Sequence, residues 1–357
     1  MRVACLLVLL ACDVATAADF PAPVEGDFVL KQFKFASGQT LPELKLHYRT
    51  IGKPARGPDG KVTNAVLILH GTTGSGANFV EGTGAELFAN QLFGKGQLLD
   101  ATRYYIILPD GIGHGKSSRP SESLRGRFPR YGYEDMVRAQ HRLLREGLKV
   151  DHLRLVLGTS MGGMHTWLWG ERHPDFADAL LPLASLPTQI SGRNRMWRKV
   201  AIDAIRTDPE WKNGEYEAQP RGLRTAAQML ALMSGTATAR QKTGPTLKEA
   251  DEAFEREVAR RLRTMDANDV LYALEASWDY DPGPGLDKIC VPLLAINFAD
   301  DLINPPEVGI LEREIKRVPK GRAILVPATD ETVGHGTHTK AAVWKDHLEK
   351  FLKDTQR

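Results

Sequence analysis

A serine between two glycines follows a strand-like apolar run within residues 153–169. The run Leu153–Leu157 leads into Gly158-Thr-Ser160-Met-Gly162 and then into an amphipathic stretch. A tight strand-to-helix turn can hold a serine hydroxyl out of the chain, and the glycines allow close chain approach on both sides. Because such a hydroxyl becomes a nucleophile only when a base removes its proton, the spacing predicts that Ser160 attacks carbonyl carbon atoms if a base lies nearby. Taken alone, the pattern also fits a glycine-rich turn with a surface serine.

Two loops after Ser160 carry the residue types that a serine nucleophile needs. In an open parallel sheet, functional groups lie on loops at the carboxyl ends of the strands. One predicted strand ends at Asn297 and continues into residues 299–303, which include Asp300 and Asp301. Either aspartate could orient a base, and we favour Asp301 because the two residues after it are apolar and can turn inward. Asp300 is then a turn residue or a support for its neighbour.

The second loop carries two histidines. It follows a predicted strand that ends at Val326, and it reads Gly334-His335-Gly336-Thr337-His338. We favour His335 as the general base, because its flanking glycines suit a loop that delivers a side chain into a cleft. His338 is expected to begin the last helix as a solvated or capping residue. The chain order serine, aspartate, histidine is that of α/β-hydrolases, in which the histidine takes the serine proton and later returns it to a leaving group.

Acyl transfer also needs hydrogen-bond donors for the negative charge that develops on oxygen. One predicted donor is the backbone N–H of Met161, directly after the nucleophile. The other is the backbone N–H of Thr72, in the glycine-rich loop 70–76. This loop lacks the ending of a phosphate-binding loop, and we expect His70 to position it. The remaining histidines have no metal-ligand spacing, so the sequence predicts neither a metal nor a cofactor.

Apolar runs predict strands that are buried on both faces. They cover residues 65–69, 104–108, 153–157, 179–181, 292–297 and 323–326. Residues 28–51 predict an antiparallel entry to the sheet, and helical spacing occurs over residues 133–149 and about 340–352. Buried strands that alternate with helices predict an α/β-hydrolase fold with a doubly wound, mostly parallel sheet.

The pattern becomes helical from about residue 187 to residue 285, where Arg and Lys are more frequent. Helices are predicted at residues 195–207, 222–234, 247–263 and 267–275. We interpret this segment as a cap inserted into an α/β core whose two parts are residues 18–186 and 286–357. A Pro/Gly-rich stretch, Asp281–Gly285, ends the cap as a stiff linker.

Residues 1–17 have the pattern of a secretory signal peptide. Arg2 precedes a short apolar run, and Ala15-Thr-Ala17 supplies small residues at cleavage spacing. We expect cleavage near Ala17 and a secreted or periplasmic protein; a buried N-terminal strand and lipid attachment at Cys12 are the alternatives. Cleavage would leave Cys290 as the one cysteine, which excludes an intramolecular disulfide, and we expect its side chain to be buried.

The composition is that of an ordinary globular protein. Of 357 residues, 42% are hydrophobic and 25% are charged, which is compatible with a large core. A net charge of +3 without a long basic run argues against binding to nucleic acid. Beyond the signal peptide, the sequence predicts no membrane span. We expect a small-molecule acyl ester as substrate; a homodimer is compatible with the sequence, which does not determine the oligomeric state.

Over roughly residues 30–352, the chain resembles the homoserine O-acetyltransferase branch of the α/β-hydrolase superfamily. The segments that carry the resemblance are Ser37–Leu44, Tyr48–Gly52, Asn64–Leu67, Asp135–Gln140, Gly158–Met164 and, in the cap, Asp208–Tyr216 and Arg221–Leu223. The resemblance implies Ser160 as nucleophile, Asp301 as acid and His335 as base, the same residues that the motifs favour.

Three departures from the family pattern bear on the substrate. The family has an alanine-arginine step after the Gly-Leu of the cap, and its arginine is associated with the amino-acid carboxylate; this chain has Ala226-Ala227-Gln228. Without that guanidinium, bidentate capture of a carboxylate is expected to be lost. Gly336 replaces the family's aspartate after the histidine, and an exported enzyme would not meet acetyl-CoA. We therefore expect a secreted carboxylic ester hydrolase. The alternative is an acetyl-CoA-dependent O-acyltransferase, and a third hypothesis is a non-catalytic binding protein on this scaffold.

Overall fold

The computed structural model describes residues 19–356, so the predicted signal peptide and Cys12 lie outside the described residues. Eight strands form one sheet. They are β1 (Val24–Lys34), β2 (Thr40–Ile51), β3 (Ala65–Leu69), β4 (Tyr105–Pro109), β5 (Leu155–Thr159), β6 (Leu180–Leu183), β7 (Leu293–Phe298) and β8 (Gly321–Val326). Each apolar run that predicts a strand coincides with one of these to within two residues at either end.

The strand order is β1-β2-β4-β3-β5-β6-β7-β8. β1 and β2 form an antiparallel pair, and β2 joins β4 antiparallel, with Tyr48 opposite Pro109. All other pairings are parallel; Leu69 of β3, for example, pairs with Gly158 of β5. The carboxyl ends of β3, β5, β7 and β8 therefore meet at one edge of the sheet, as the predicted doubly wound fold requires.

The central strands are apolar at every position because both faces of the sheet are covered. In β3, Leu67 and Leu69 belong to one apolar layer, whereas Val66 and Ile68 belong to the layer on the opposite face. All five residues of β3 are buried. A parallel sheet with helices on both faces needs such a continuous run, and an alternating pattern would place polar groups in one of the two layers.

Residues 19–356 contain eight α-helices of seven or more residues. They are α1 (Tyr133–Arg142), α2 (Met161–Arg172), α3 (Gly192–Arg206), α4 (Gly222–Ser234), α5 (Ala237–Thr243), α6 (Leu247–Leu262), α7 (Ala267–Glu275) and α8 (Ala341–Asp354). The helix predicted over residues 133–149 ends as an α-helix at Arg142 and continues as a wider π-turn, Leu143–Gly147. Three shorter α-helical turns are Gly82–Gly84, Asn90–Leu92 and Ile310–Glu314.

Between β6 and β7 the chain forms helices α3 to α7 and their connections, with no strand among the described residues. These helices share an apolar core of their own, which includes Trp197, Ile205, Leu223 and Leu274. Ile303, from the loop after β7, packs against this core as a partly buried residue. The helical segment therefore contacts the loop that carries Asp301. The predicted limits of the cap, residues 187 and 285, stay a prediction.

Two details differ from the sequence interpretation. Cys290 is exposed, so the prediction of a buried side chain is wrong; the residue lies before β7 begins, where the chain is still at the surface. The short helix α5 was not predicted, because its sequence is polar and it buries no residue. No helix within residues 19–356 is long and apolar enough to cross a membrane.

Candidate active site

Ser160 lies in a strained turn between β5 and α2. Its backbone angles are φ 55° and ψ −113°, a region that non-glycine residues rarely occupy. Its N–H donates to the carbonyl oxygen of Leu183 at 2.9 Å, and its carbonyl accepts the N–H of Met164 at 2.9 Å. Backbone strain of this kind persists only where surrounding contacts enforce it, and it concentrates at functional sites. The turn presents the hydroxyl to a cavity above the sheet.

The two motif glycines are required by close backbone contacts. A methyl group at Gly158 would lie 1.9 Å from the carbonyl oxygen of Gly162, and one at Gly162 would lie 2.1 Å from the carbonyl oxygen of Leu69. Neither contact can be relieved by a side-chain rotation, because both involve main-chain oxygens. The Gly-x-Ser-x-Gly spacing thus follows from packing α2 tightly onto β3 and β5.

His335 connects Ser160 with Asp301. Its Nε2 lies 2.8 Å from the hydroxyl oxygen of Ser160, and its Nδ1 lies 2.8 Å from a carboxylate oxygen of Asp301. All three residues are buried. The structure therefore brings together the predicted nucleophile, base and acid, although 175 residues separate Ser160 from His335. This arrangement can transfer the serine proton to the imidazole while the carboxylate holds the ring in one tautomer.

Asp301 is held as an ionised group by several donors. Burial alone raises the pKa of this carboxyl, but the neighbouring His335 and the backbone N–H groups of Ile303 and Asn304 outweigh burial and lower the pKa. Those N–H groups donate to one carboxylate oxygen at 2.7 and 3.1 Å. The side-chain amide of Asn304 donates to the other at 3.3 Å. Asn304 was not singled out in the sequence, although its place three residues after Asp301 is typical of such a turn.

Asp300 supports the loop that carries the base. One of its carboxylate oxygens accepts the hydroxyl of Thr332 at 2.7 Å and the N–H of Gly334 at 3.2 Å. It makes no hydrogen bond with His335. The two adjacent aspartates thus have different tasks: Asp301 contacts the imidazole, and Asp300 ties the histidine loop to the end of β7.

His338 is not the solvated residue at the start of the last helix that the sequence suggested. It lies in a 3₁₀ turn, Gly336–Thr339, and its half-buried ring lines the cavity. The ring centroids of His335 and His338 are 5.2 Å apart. Burial and the neighbouring His335 lower the pKa of His338 to about 3, so its imidazole is neutral near pH 7. The prediction failed because α8 begins only at Ala341.

We expect the His338→Ala substitution to lower kcat/KM by less than about tenfold, because His338 contacts neither the Ser160 hydroxyl nor Asp301, whereas direct proton transfer is worth about 10²- to 10⁴-fold. Steady-state hydrolysis of 4-nitrophenyl acetate by the His338→Ala and His335→Ala variants would test this. Equal losses in the two variants would contradict the assignment of the base.

The loop after β3 reaches the nucleophile. A methyl group at Gly71 would lie 3.3 Å from the Ser160 Cβ atom, so the backbone of this loop borders the hydroxyl directly. Thr72, the next residue, lines the same cavity. Met161 is the first residue of α2, where backbone N–H groups lack helical partners. The N–H groups of Thr72 and Met161 therefore belong to the two segments that border the Ser160 hydroxyl, as an oxyanion hole requires.

Asp110 fixes the shape of this loop and was missed in the sequence. Its buried carboxylate accepts the N–H of Gly76 at 2.7 Å and the N–H of Lys116 at 2.8 Å, and Arg49 lies 3.4 Å from it. His70 acts as predicted: its Nε2 accepts the N–H of Gly111 at 2.9 Å. The available signal was a carboxylate directly after a buried strand, at the sheet edge where functional loops meet.

The cavity in front of Ser160 has a volume of about 690 Å³, and both polar and apolar side chains line it. Four arginines line it: Arg119, Arg198, Arg260 and Arg261. The arginine of the family pattern is absent, as the sequence indicated, but other guanidinium groups line the cavity. Position 227 does hold a buried alanine of α4, but α3 supplies Arg198 to the same cavity. Sequence comparison at one position did not reveal this, because helices α3, α4, α6 and α7 all line the cavity. Within residues 19–356, no cluster of three or more His, Cys, Asp or Glu side chains could hold a metal ion.

Comparison with known proteins agrees with this geometry. Residues 64–335 match the family model described as "alpha/beta hydrolase fold". The homoserine O-acetyltransferase of Chlorobaculum parvum is 29% identical over 331 residues, covering 85% of this chain and 87% of the relative. That of Natronomonas pharaonis is 31% identical over 298 residues, 72% of each chain. Among solved structures, esterase E22 superposes with a TM-score of 0.81 at 19% identity, over 93% of this chain and all of the other.

Fold and site together define an enzyme that transfers or hydrolyses acyl groups. The chain belongs to the α/β-hydrolase fold family, in the branch that contains the homoserine O-acetyltransferases. The resemblance inferred from the sequence motifs and the predicted fold class are thereby confirmed.

Proposed function

We propose that the protein is an acyltransferase of the homoserine O-acetyltransferase type, which moves an acyl group from a donor to an alcohol through an acyl-enzyme on Ser160. The observation that carries this proposal is the hydrogen-bonded line from Asp301 through His335 to Ser160, whose side chain borders the cavity. Transfer to a hydroxyl is favoured over transfer to water by the names of the sequence relatives. This choice reverses the expectation from sequence alone, in which hydrolysis came first.

The first half-reaction forms the acyl-enzyme. The Ser160 hydroxyl oxygen attacks the acyl carbonyl carbon while His335 Nε2 accepts the hydroxyl proton. Negative charge then develops on the carbonyl oxygen, where the N–H groups of Thr72 and Met161 stabilise it. When the intermediate collapses, the bond to the leaving group breaks, and His335 gives its proton to that group. The products are an ester on Ser160 and a free thiol or alcohol.

The second half-reaction repeats these steps with the acceptor. Its hydroxyl gives a proton to His335 and attacks the acyl carbon, and the proton returns to Ser160 as the new ester leaves. Throughout, Asp301 stays ionised and stabilises the imidazolium. Water can replace the acceptor, so the ratio of transfer to hydrolysis depends on how well the cavity binds an alcohol.

A parallel assay tests the proposal. Purified protein is supplied with acetyl-CoA, with and without L-homoserine, while free thiol and O-acetylhomoserine are measured; hydrolysis of 4-nitrophenyl acetate is followed separately. We expect thiol release to rise about tenfold or more when the acceptor is present, as differential acceptor binding predicts. Hydrolysis of the nitrophenyl ester together with no acceptor-dependent thiol release would contradict transfer and support hydrolysis.

Carboxylic ester hydrolysis is the second candidate. Two observations favour it: alanine occupies position 227, and residues 1–17 have the pattern of an export signal, which would separate the enzyme from acetyl-CoA.

We propose that the protein is exported and cleaved near Ala17. Expression of the full chain in a bacterial host, followed by N-terminal sequencing of the periplasmic fraction, tests this. Intact chains that begin at Met1 and stay in the cytoplasm would contradict export.

A further inference from the structure

Arg198 differs from the other arginines of the active-site cavity in having no carboxylate partner. Arg119 lies near Glu122 and Asp269, while Arg260 and Arg261 both pair with Glu257. Arg198 forms no salt bridge with any residue in the described part of the chain, although only 3% of its surface is exposed. An isolated buried charge is costly to a folded protein, so it is retained where a ligand can neutralise it.

The guanidinium is fixed in place but not satisfied. Its Nε donates to the side-chain oxygen of Asn194, one turn earlier in α3, at 3.1 Å. The guanidinium carbon lies 5.0 Å from the centre of the Trp197 ring. Its Nη1 is buried without a hydrogen bond. Burial lowers the pKa of Arg198, but a group with an ordinary value of 12.5 remains charged near pH 7.

Two hydroxyl groups next to this guanidinium also lack partners. The hydroxyls of Tyr133 and Thr72 are buried, and neither forms an aligned hydrogen bond. Burial raises the pKa of Tyr133, and the adjoining Arg198 and Thr72 oppose that shift, which shows that the three side chains adjoin. Thr72 and Arg198 both line the cavity that contains Ser160. Tyr133 adjoins them as a fully buried residue. The cavity wall therefore contains a guanidinium whose Nη1 is unpaired and whose charge no carboxylate balances, with the two hydroxyls next to it.

We propose that Arg198, with the hydroxyls of Tyr133 and Thr72, binds a carboxylate group of the substrate. This inference rests on the proposed acyl transfer at Ser160. A carboxylate fits the cluster because it brings one negative charge for one uncompensated positive charge, and its two oxygens can accept several hydrogen bonds. A neutral carbonyl group could accept hydrogen bonds, but it would leave the positive charge of Arg198 without a balancing negative charge. The carboxylate can belong to the acyl half or to the alcohol half of the ester.

Two matched pairs of esters distinguish these sources. For the acyl half, 4-nitrophenyl hemisuccinate is compared with 4-nitrophenyl butyrate; for the alcohol half, 4-acetoxybenzoate is compared with its methyl ester. Each kcat/KM is divided by the rate of alkaline hydrolysis of the same ester. We expect the charged member of one pair to be preferred by about tenfold or more, the range for a charge-assisted bidentate contact. Preference for the neutral member in both pairs would overturn the proposal.

Variants of Arg198 test whether the preference comes from this cluster. R198M should lower kcat/KM for the preferred charged ester by about ten- to hundredfold and change the neutral ester by less than about threefold. The kcat/KM of R198K for the charged ester should lie between those of wild type and R198M, because lysine keeps the charge but not the planar fork of the guanidinium. Tyr133→Phe should reduce the same preference by a smaller factor. Lys199 is an exposed neighbour of Arg198 on α3, so Lys199→Met is the matched control. It should leave kcat/KM unchanged for both esters.

A binding measurement separates a wrong subsite from a wrong reaction. In the inactive Ser160→Ala background, monomethyl succinate and dimethyl succinate are titrated calorimetrically with and without R198M. Tighter binding of the monoester, abolished by R198M, supports the subsite whatever reaction the enzyme catalyses. Equal affinity for both compounds, or a preference that survives R198M, overturns it. Thermal melting should show R198M to be at least as stable as its parent, since an unpaired buried charge has been removed.

Discussion

Replacing Ser160 with alanine is expected to lower kcat by about 10⁴- to 10⁶-fold, and replacing His335 with alanine should have an effect of the same order. The two atoms that exchange the proton lie 2.8 Å apart, so each substitution removes one end of the same transfer. Because the two residues act as a unit, the double variant should be little worse than either single variant. Steady-state turnover of 4-nitrophenyl acetate measures all three.

Covalent labelling makes this prediction specific to the hydroxyl. A fluorophosphonate should modify wild-type protein once, at Ser160, and should not modify Ser160→Ala. Ser37→Ala is a matched control, because Ser37 is exposed and its hydroxyl contacts only Gln39; it should keep both labelling and turnover. The oxyanion hole alone supports only a small residual activity. Retention of more than about one tenth of the wild-type activity by Ser160→Ala would therefore refute the assigned nucleophile.

The second large effect is expected from Asp301→Asn, which should lower kcat by about 10³- to 10⁴-fold. The substitution removes the charge that stabilises the imidazolium and favours the wrong tautomer of His335. Asp300→Asn should cost about tenfold or less, because its remaining carbonyl oxygen can still accept from Thr332 or Gly334. Turnover of both variants, measured side by side with wild type, provides the comparison. A larger loss in Asp300→Asn would reverse the assignment of the acid.

The same pair of variants should differ in acid stability. The folded protein holds the pKa of Asp301 below its ordinary value of 3.8. The ionised carboxylate therefore stabilises the fold at pH values above about 4, and this contribution is lost as the pH falls through the lower folded pKa. The difference in the free energy of unfolding between wild type and Asp301→Asn should shrink on acidification. Denaturant titrations at pH 7 and pH 3.5 measure this difference in the free energy of unfolding. The same difference at both pH values would show that the Asp301 carboxylate does not stabilise the fold.

Local sequence predicted the sheet well because its physical cause is local. Residues 65–69 are apolar at every position, since both faces of β3 are covered, and the observed strand has those bounds. The elbow around Ser160 was equally readable, because main-chain contacts at Gly158 and Gly162 exclude any side chain. By contrast, Cys290 has an apolar neighbourhood in sequence and an exposed side chain in space. Exposure depends on what packs above a residue, which neighbours in sequence do not report.

The sequence by itself determined the fold class, the nucleophile turn and the order in which serine, acid and base occur. It favoured Asp301 over Asp300 as the acid and His335 over His338 as the base. Only the tertiary structure showed which member of each pair lies within hydrogen-bond distance of its partner, because the path of each loop decides where its side chains point. It also decided what the cavity offers a substrate. Position 227 on α4 is an alanine, yet Arg198 on α3 and three further arginines line the cavity. Only the folded chain shows this, because residues from several separate segments form one cavity.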